Sequence, residues 1–257
     1  MLWELCAIVP LSQNSRVGYD EALQKELSVE PFAPEHFFDL STFAHKKLFE
    51  GCTFVWQALE KLEAYLARQT LGKLDSSKQE YAYLVNPESI SIGEGTIIEP
   101  GAYIKGPCII GKECHIRHGA YIRGDVIIGD HAVVGHATEL KHSILLNHAH
   151  AAHFAYVGDS IIGNHTNLGA GTKCANLRLN GEAIMVQLGA ELISTGLRKF
   201  GAIIGDHSQI GCNAVLNPGA LLYKYVQCYP SINFGGVIPE KSLVKSQTKV
   251  AITTQKL

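Results

Sequence analysis

Little of this chain is charged, and almost none of that charge is unbalanced. Of its 257 residues 18% are Asp, Glu, Lys or Arg, and the formal net charge is −2. Such a balance gives no overall attraction for nucleic acid or an anionic membrane surface, so neither is an expected partner. There is no long uninterrupted apolar run, which argues against a membrane-spanning helix. The opening "MLWELCAIVPL" carries Glu4 and lacks a basic start, so no secretory leader is expected. The seven cysteines are odd in number and contain no CxxC pair. That usage suits a reducing compartment, and a cytoplasmic location is the expectation. What the chain does have is 46% hydrophobic residues and 25 glycines, the material of a soluble globular protein rich in turns.

Two regions differ in periodicity. Residues 1–86 read as a helical N-terminal region. Asp39 or Ser41 is a candidate cap for one helix that Gly51 would end. A second helix carries Val55, Leu59, Leu62 and Leu66 as one apolar stripe, whose plainest role is core packing. The polar "LDSSKQEY" at 74–81 reads as a linker.

From Ile92 an aliphatic residue returns every six positions: Ile98, Ile104, Ile110, Ile116, Ile122, Ile128, Val134, Leu140 and Leu146 follow. Four positions after most of these stands a small or β-branched residue, among them Thr96, Ala102, Cys108, Cys114, Ala120 and Thr138. A period of six is neither a helix nor a half-buried strand; it predicts a β-solenoid in which three hexapeptides make one triangular coil of 18 residues. The count resumes at Tyr156, Ile162 and Leu168, displaced by four, and again at Ile204, Ile210, Leu216 and Leu222. The solenoid is therefore expected over 87–224, with an external loop at 175–202 and a non-repeating C-terminal extension at 225–257. The slip is placed at 152–156, next to His153.

Residues 18 apart stack in neighbouring coils, about 4.8 Å from one another. Lys105, Arg123 and Lys141 hold this spacing, each directly after an inward aliphatic, and so predict an outward basic ladder. Like charges that close repel, so the ladder suggests a bridging anion such as a phosphate; a solvated face with incidental alignment is the plainer alternative. His142, His148, His150 and His153 crowd into twelve residues. Spacing alone leaves them open as surface residues, metal ligands or a general base.

"AYIRG" (120–124), "VGHATELKHS" (134–143), "AAHFAYVGDSIIGNHTNLGAGT", the "AN" before the loop and "KFGAIIGD" (199–206) together give the stretch 90–222 a familiar look. It resembles the hexapeptide-repeat acyltransferases. Within them it most resembles the C-terminal acetyltransferase domain of bifunctional N-acetylglucosamine-1-phosphate uridyltransferase/glucosamine-1-phosphate acetyltransferase. The resemblance implies a left-handed parallel β-helix assembled as a homotrimer, with active sites between subunits. It implies acetyl transfer from acetyl-CoA to an amino-sugar phosphate, glucosamine 1-phosphate first among candidates, with no metal.

Carried over by position, the resemblance makes His153 the base that deprotonates the 2-amino group and Asn176 a member of the acetyl-transfer centre. Arg123 and Lys141 would hold the sugar phosphate; Tyr156, Asn167 and Lys199 would complete the acceptor site. Ala170 and Cys212 would face the coenzyme. Glu139 fits the motif but equally reads as a surface charge, and Cys174 reads as packing. There are departures: the nucleotidyltransferase half is missing from the first 86 residues, the external loop is longer than the family's turn, and Cys212 stands where a serine is usual. Three rival readings remain: N-acylation of a UDP-linked amino sugar, a γ-carbonic-anhydrase-like metal enzyme, and a non-catalytic sugar-phosphate or nucleotide-sugar binding protein.

Overall fold

A computed structural model of the chain describes residues 31–75 and 81–246, all but Pro31 within one compact unit that starts at Phe32. Expectations about residues 1–30, 76–80 and 247–257, among them the leader and most of the linker, lie outside the described residues. Three parallel sheets, each of eight strands, wind around a common core. Sheet I begins with Ile90–Ile92, sheet II with Tyr83–Val85 and sheet III with Ile97–Ile98. The hexapeptide β-helix expected from the repeat is the fold observed.

The inward slots are filled as the period predicts from Ile92 to Leu140, all within 3% of full burial. The small positions sit where the chain turns each corner, and their hydroxyls tie coils together. Thr138 Oγ1, for example, donates to the Ala151 carbonyl at 3.0 Å.

The structure moves the slip. Ile110 pairs with Ile128, 18 residues on, but Ile128 pairs with Leu145, only 17 on. One corner residue is dropped near His142, and a second near Asp159, where Val157 and Ile162 are successive inward residues. Inward positions are thus Leu145 and Val157, not the Leu146 and Tyr156 counted from the sequence. The stretch 152–156 itself keeps a regular step of six between Ala151 and Val157. The count was ambiguous because "ILL" offers apolar residues to both sides of the wall.

Leu146 is buried on the outside instead, together with Ile127, Ile144, Ile161, Ile203 and Leu221, which line the outer side of sheet I. Residues 32–66 cover them. Their helix Gln57–Leu66 buries Leu59, Leu62 and Leu66 as the spacing predicts. The helix expected from Asp39 to Gly51 is instead a set of turns and one 3-10 turn, Lys46–Phe49, because Asp39 accepts from the Ser41 amide and holds a tight turn. Phe37 stacks on Tyr223 at 4.5 Å, and Asp206 accepts from the Asp39 amide at 2.7 Å. Each outward aliphatic removed from water contributes roughly 1.5–3 kcal/mol, so this docking is a second core.

The external loop is not open chain. Met185–Leu188 and Glu191–Ser194 form a hairpin whose Ile184, Val186 and Ile193 join that second core. At the C-terminal end a further correction applies: Gln227–Cys228, Asn233–Phe234, Val237–Ile238 and Leu243–Val244 extend all three sheets beyond residue 224. Cys228 and Phe234 occupy slots that need an apolar residue, not an aliphatic one. At the other end Tyr83–Val85 already pairs with Tyr103–Lys105, so the solenoid starts before residue 87.

At the corner between sheets I and III four imidazoles stack. His131, His148, His165 and His207 follow one another at 4.7, 4.4 and 5.1 Å with planes within 9°. Tyr225 caps them at 4.9 Å, with Lys241 over its ring. Burial, then the His165 and His131 charges, hold His148 below the usual histidine range, against a smaller opposing pull from Asp130. His45, half-buried near Tyr65, is lowered mainly by burial. A lowered folded-state pKa means the unfolded chain binds the extra proton, so the stability present above about pH 6.5 is lost as pH falls through the folded values. Melting curves are expected to shift to lower temperature between pH 7.5 and 5.5, and His148→Asn to shrink that shift. An equal shift in the variant would remove the stack as its cause.

Candidate active site

His153 ends the strand His150–His153 and pairs in register with His136. It stands exposed at the corner between sheets III and II. The amides of Phe154, Gly171, Asn213 and Ser231 donate to the carbonyls of His136, His153, Ala170 and Cys212. His153, Ala170 and Cys212 therefore occupy one corner in successive coils, about 4.8 Å apart. No hydrogen bond engages the His153 imidazole among the described residues. Phe154, next to it, adopts a left-handed backbone at φ 52° where other coils place Gly101, Gly119 or Gly171. Its ring lies 5.2 Å from that of His136 and 6.4 Å from that of His153.

Round the corner, sheet II carries the basic ladder. Arg123 Nη1 donates to Glu139 Oε1 at 2.7 Å, and Lys141 Nζ donates to both oxygens of Asp159 at 2.9 and 3.0 Å. Internal carboxylates thus relieve the repulsion from which a bridging anion was inferred. They also hold the cations in place with donors to spare, since a guanidinium has five N–H groups. Asp159 is the residue that sequence reasoning missed. It is buried, and it also accepts from the Asn176 side-chain amide. That amide donates to the Tyr156 hydroxyl as well, at 3.2 Å. Burial is the main cause that pushes the Tyr156 phenol up. The signal available for Asp159 in the sequence is its spacing, 18 residues on from Lys141 and so the next position in the ladder's own series.

Gly158 makes this network possible. A Cβ there would lie 2.6 Å from the Tyr156 hydroxyl and 2.7 Å from Asn176 Nδ2. The rung that would continue the ladder above Lys141 is left bare, and the phenol lies across it.

Two expected members stand apart. Asn167 faces outward on sheet III between His150 and Gln209. Lys199 is exposed at the end of the loop, its backbone bridged to Leu177. One protomer therefore unites Arg123, Lys141, Tyr156 and Asn176 on one face, and His153, Ala170 and Cys212 on the adjoining corner, but does not bring Asn167 to them. Cys174 is fully buried and its thiol is pushed up to about 12, as a packing residue would be.

The clustered histidines do not converge. His142 Nε2 lies 3.1 Å from the Leu59 carbonyl, His148 is in the stack, His150 is on sheet III, and His153 is at the third corner. Among the described residues no group of three or more His, Cys, Asp or Glu could hold a metal ion.

A hexapeptide solenoid with a histidine corner beside a basic face resembles the hexapeptide-repeat acyltransferases, and the likeness noted in the sequence holds. Residues 104–197 match the family described as the GMPPB C-terminal domain. A bifunctional sugar-1-phosphate nucleotidylyltransferase/acetyltransferase of Sulfurisphaera tokodaii is 40% identical over 92 residues, 36% of this chain and 23% of that protein. The bifunctional protein GlmU of Methanococcus aeolicus is 32% identical over 119 residues, 46% of this chain and 29% of the relative. The chain thus spans less than a third of the length of these relatives. Among solved structures, the acetyltransferase domain of PglB from Neisseria gonorrhoeae, in complex with acetyl coenzyme A, has 17% identity and a TM-score of 0.39, covering 50% of this chain and 52% of that one.

Proposed function

We propose that this protein is an acetyl-CoA-dependent N-acetyltransferase acting on an amino-sugar phosphate, glucosamine 1-phosphate first among candidates. The supporting observation is the juxtaposition of the His153–Ala170–Cys212 corner with the face that holds Arg123, Lys141, Tyr156 and Asn176. An ammonium cannot attack a thioester, so His153 takes one proton from the 2-amino group. The amine nitrogen then bonds to the thioester carbonyl carbon, and backbone N–H groups stabilise the oxyanion. The C–S bond breaks as the amide forms; the ammonium nitrogen loses two protons in all, one passing through His153 to solvent and the other leaving with the coenzyme as its thiol. Arg123 and Lys141 grip the sugar phosphate through the donors their carboxylates leave free; Tyr156, with Asn176 on its hydroxyl, borders the sugar. Ala170 and Cys212 lie along the pantetheine path.

We further propose that a homotrimer completes the site, with Asn167 supplied from the sheet III face of a neighbouring subunit and Lys199 from a loop end. Sedimentation equilibrium is expected to read three protomers per particle; a monomer at micromolar concentration would sink this arrangement. No described helix is long and apolar enough to cross a membrane, and a cytoplasmic site of action accompanies the proposal.

The decisive assay follows free thiol release from acetyl-CoA with a panel of amino-sugar phosphates. Arg123→Ala and Lys141→Ala are each expected to weaken acceptor binding by about 1.5–3 kcal/mol, the worth of a charge-assisted bond. Affinity for acetyl-CoA is expected to stay unchanged. Lys141→Ala also strips the buried Asp159 of its cation, so its melting temperature falls while that of Arg123→Ala does not. No thiol release with any panel member would leave the UDP-linked amino-sugar and non-catalytic binding readings in its place.

A further inference from the structure

The external loop rejoins the solenoid at Phe200, and two consecutive amides there reach back to the candidate site. Phe200 N–H donates to the Asn176 carbonyl at 3.0 Å, and Gly201 N–H donates to the Asp159 carbonyl at 2.8 Å. Asn176 and Asp159 are the residues whose side chains bond the Tyr156 hydroxyl and Lys141. One dipeptide therefore ties down the backbone of both. A Cβ on Gly201 would run into the Gly158 carbonyl, so the chain lies this close only because it carries no side chain there.

The dipeptide is itself held in place. The Gly219 amide donates to the carbonyls of Phe200 and Gly201, at 3.1 and 2.8 Å. The Phe200 ring is fully buried and belongs to the second core, not to that of the solenoid. It lies 6.2 Å from the ring of Trp56, which stacks on Phe54 at 4.7 Å and tilts against Phe32 at 5.6 Å. The aromatic cluster of residues 32–56 thus reaches the acceptor face through one side chain. Covering the outward aliphatics of sheet I requires no such contact.

We propose that Trp56 and Phe200 are positioning residues for the acceptor. The aromatic cluster fixes the Phe200 and Gly201 amides, and through them the Asn176 amide and Asp159 carboxylate that orient Tyr156 and Lys141. This rests on the acetyltransferase reading for what Tyr156 and Lys141 bind, while the brace itself stands on the hydrogen bonds and ring contacts. A displacement of about 1 Å, even from a change far from the chemistry, can cost about 10²-fold in rate.

Trp56→Leu keeps the position apolar and removes the ring beside Phe200. It is expected to lower kcat/KM for glucosamine 1-phosphate by roughly tenfold, inside the range for a misplaced group, and to leave acetyl-CoA affinity unchanged. Hydrogen exchange at the Phe200 and Gly201 amides, a readout independent of activity, is expected to quicken. Trp56→Phe is expected to restore both. Leu62→Ala opens a cavity in the same core on the helix Gln57–Leu66, and is expected to lower the melting temperature without moving either readout. Wild-type exchange and acceptor kinetics in Trp56→Leu would overturn the proposal. So would Leu62→Ala matching Trp56→Leu in both, which would reduce the effect to a loosened core. Should Trp56→Leu not fold, Phe200→Leu carries the same comparison. If exchange quickens as expected and the wild type acetylates no amino-sugar phosphate, the brace stands and the transferase reading falls.

Discussion

Replacing His153 with alanine is expected to lower acetyl transfer by roughly 10²- to 10⁴-fold, the usual contribution of a general base. Acceptor and acetyl-CoA affinities are expected to stay near wild type, because the imidazole acts on the proton in flight and not on the bound groups. The fold gives no reason for collapse: the side chain is exposed at a corner and makes no hydrogen bond to any described residue. His153→Asn keeps a polar side chain of similar reach without a basic nitrogen, and is expected to be nearly as slow as alanine. Steady-state thiol release with direct binding measurements separates these effects. Wild-type turnover in His153→Asn would refute the mechanism and favour a binding protein.

Gly135→Ala is expected to be the most damaging of the substitutions away from the reacting groups. The strand Val133–His136 runs beside His150–His153, and a Cβ on Gly135 would fall inside the Ala152 carbonyl. The obstacle is backbone, so no rotamer change relieves it, and the strand that carries His153 must move. Overpacking of this kind costs about 3 kcal/mol, at the upper end for a single inserted methyl. Both the melting temperature and acetyl transfer are expected to fall. Trimming the neighbour, as in Gly135→Ala with Ala152→Gly, is expected to rescue neither, because the clash lies with the carbonyl. A Gly135→Ala protein with wild-type melting would mean the two strands are not packed so closely.

The repeat was legible because each inward slot makes the same demand, for an apolar side chain of middling size, once every six residues. Ile92 to Leu140 satisfy it without exception. Counting fails where two apolar residues are adjacent, as at Leu145 and Leu146. Either could face in, and only the docked N-terminal region shows that the outward one also has a core to enter. The C-terminal coils were missed for the opposite reason, since Cys228 and Phe234 meet the demand without looking like the repeat.

The candidate site divides in the same way. His153, Arg123, Lys141, Tyr156 and Asn176 were named from motif position, and their spacing already set which coil each occupies. Position along the chain says nothing about which charge partners which. Asp159 lies 18 residues from Lys141, the step of the ladder itself, but the dropped corner residue puts Gly158 in register with Lys141, and only the folded corner turns the Asp159 carboxylate onto the lysine. The linear order likewise places Asn167 near Tyr156, yet the two corners between them turn Asn167 onto another face. By itself, then, the sequence determined the solenoid and the coil that carries each group, because periodic burial is written one residue at a time. Which cations are compensated, which face is covered, and which site residues meet were decided only by the tertiary structure, because corners and stacking bring together residues that the chain keeps apart.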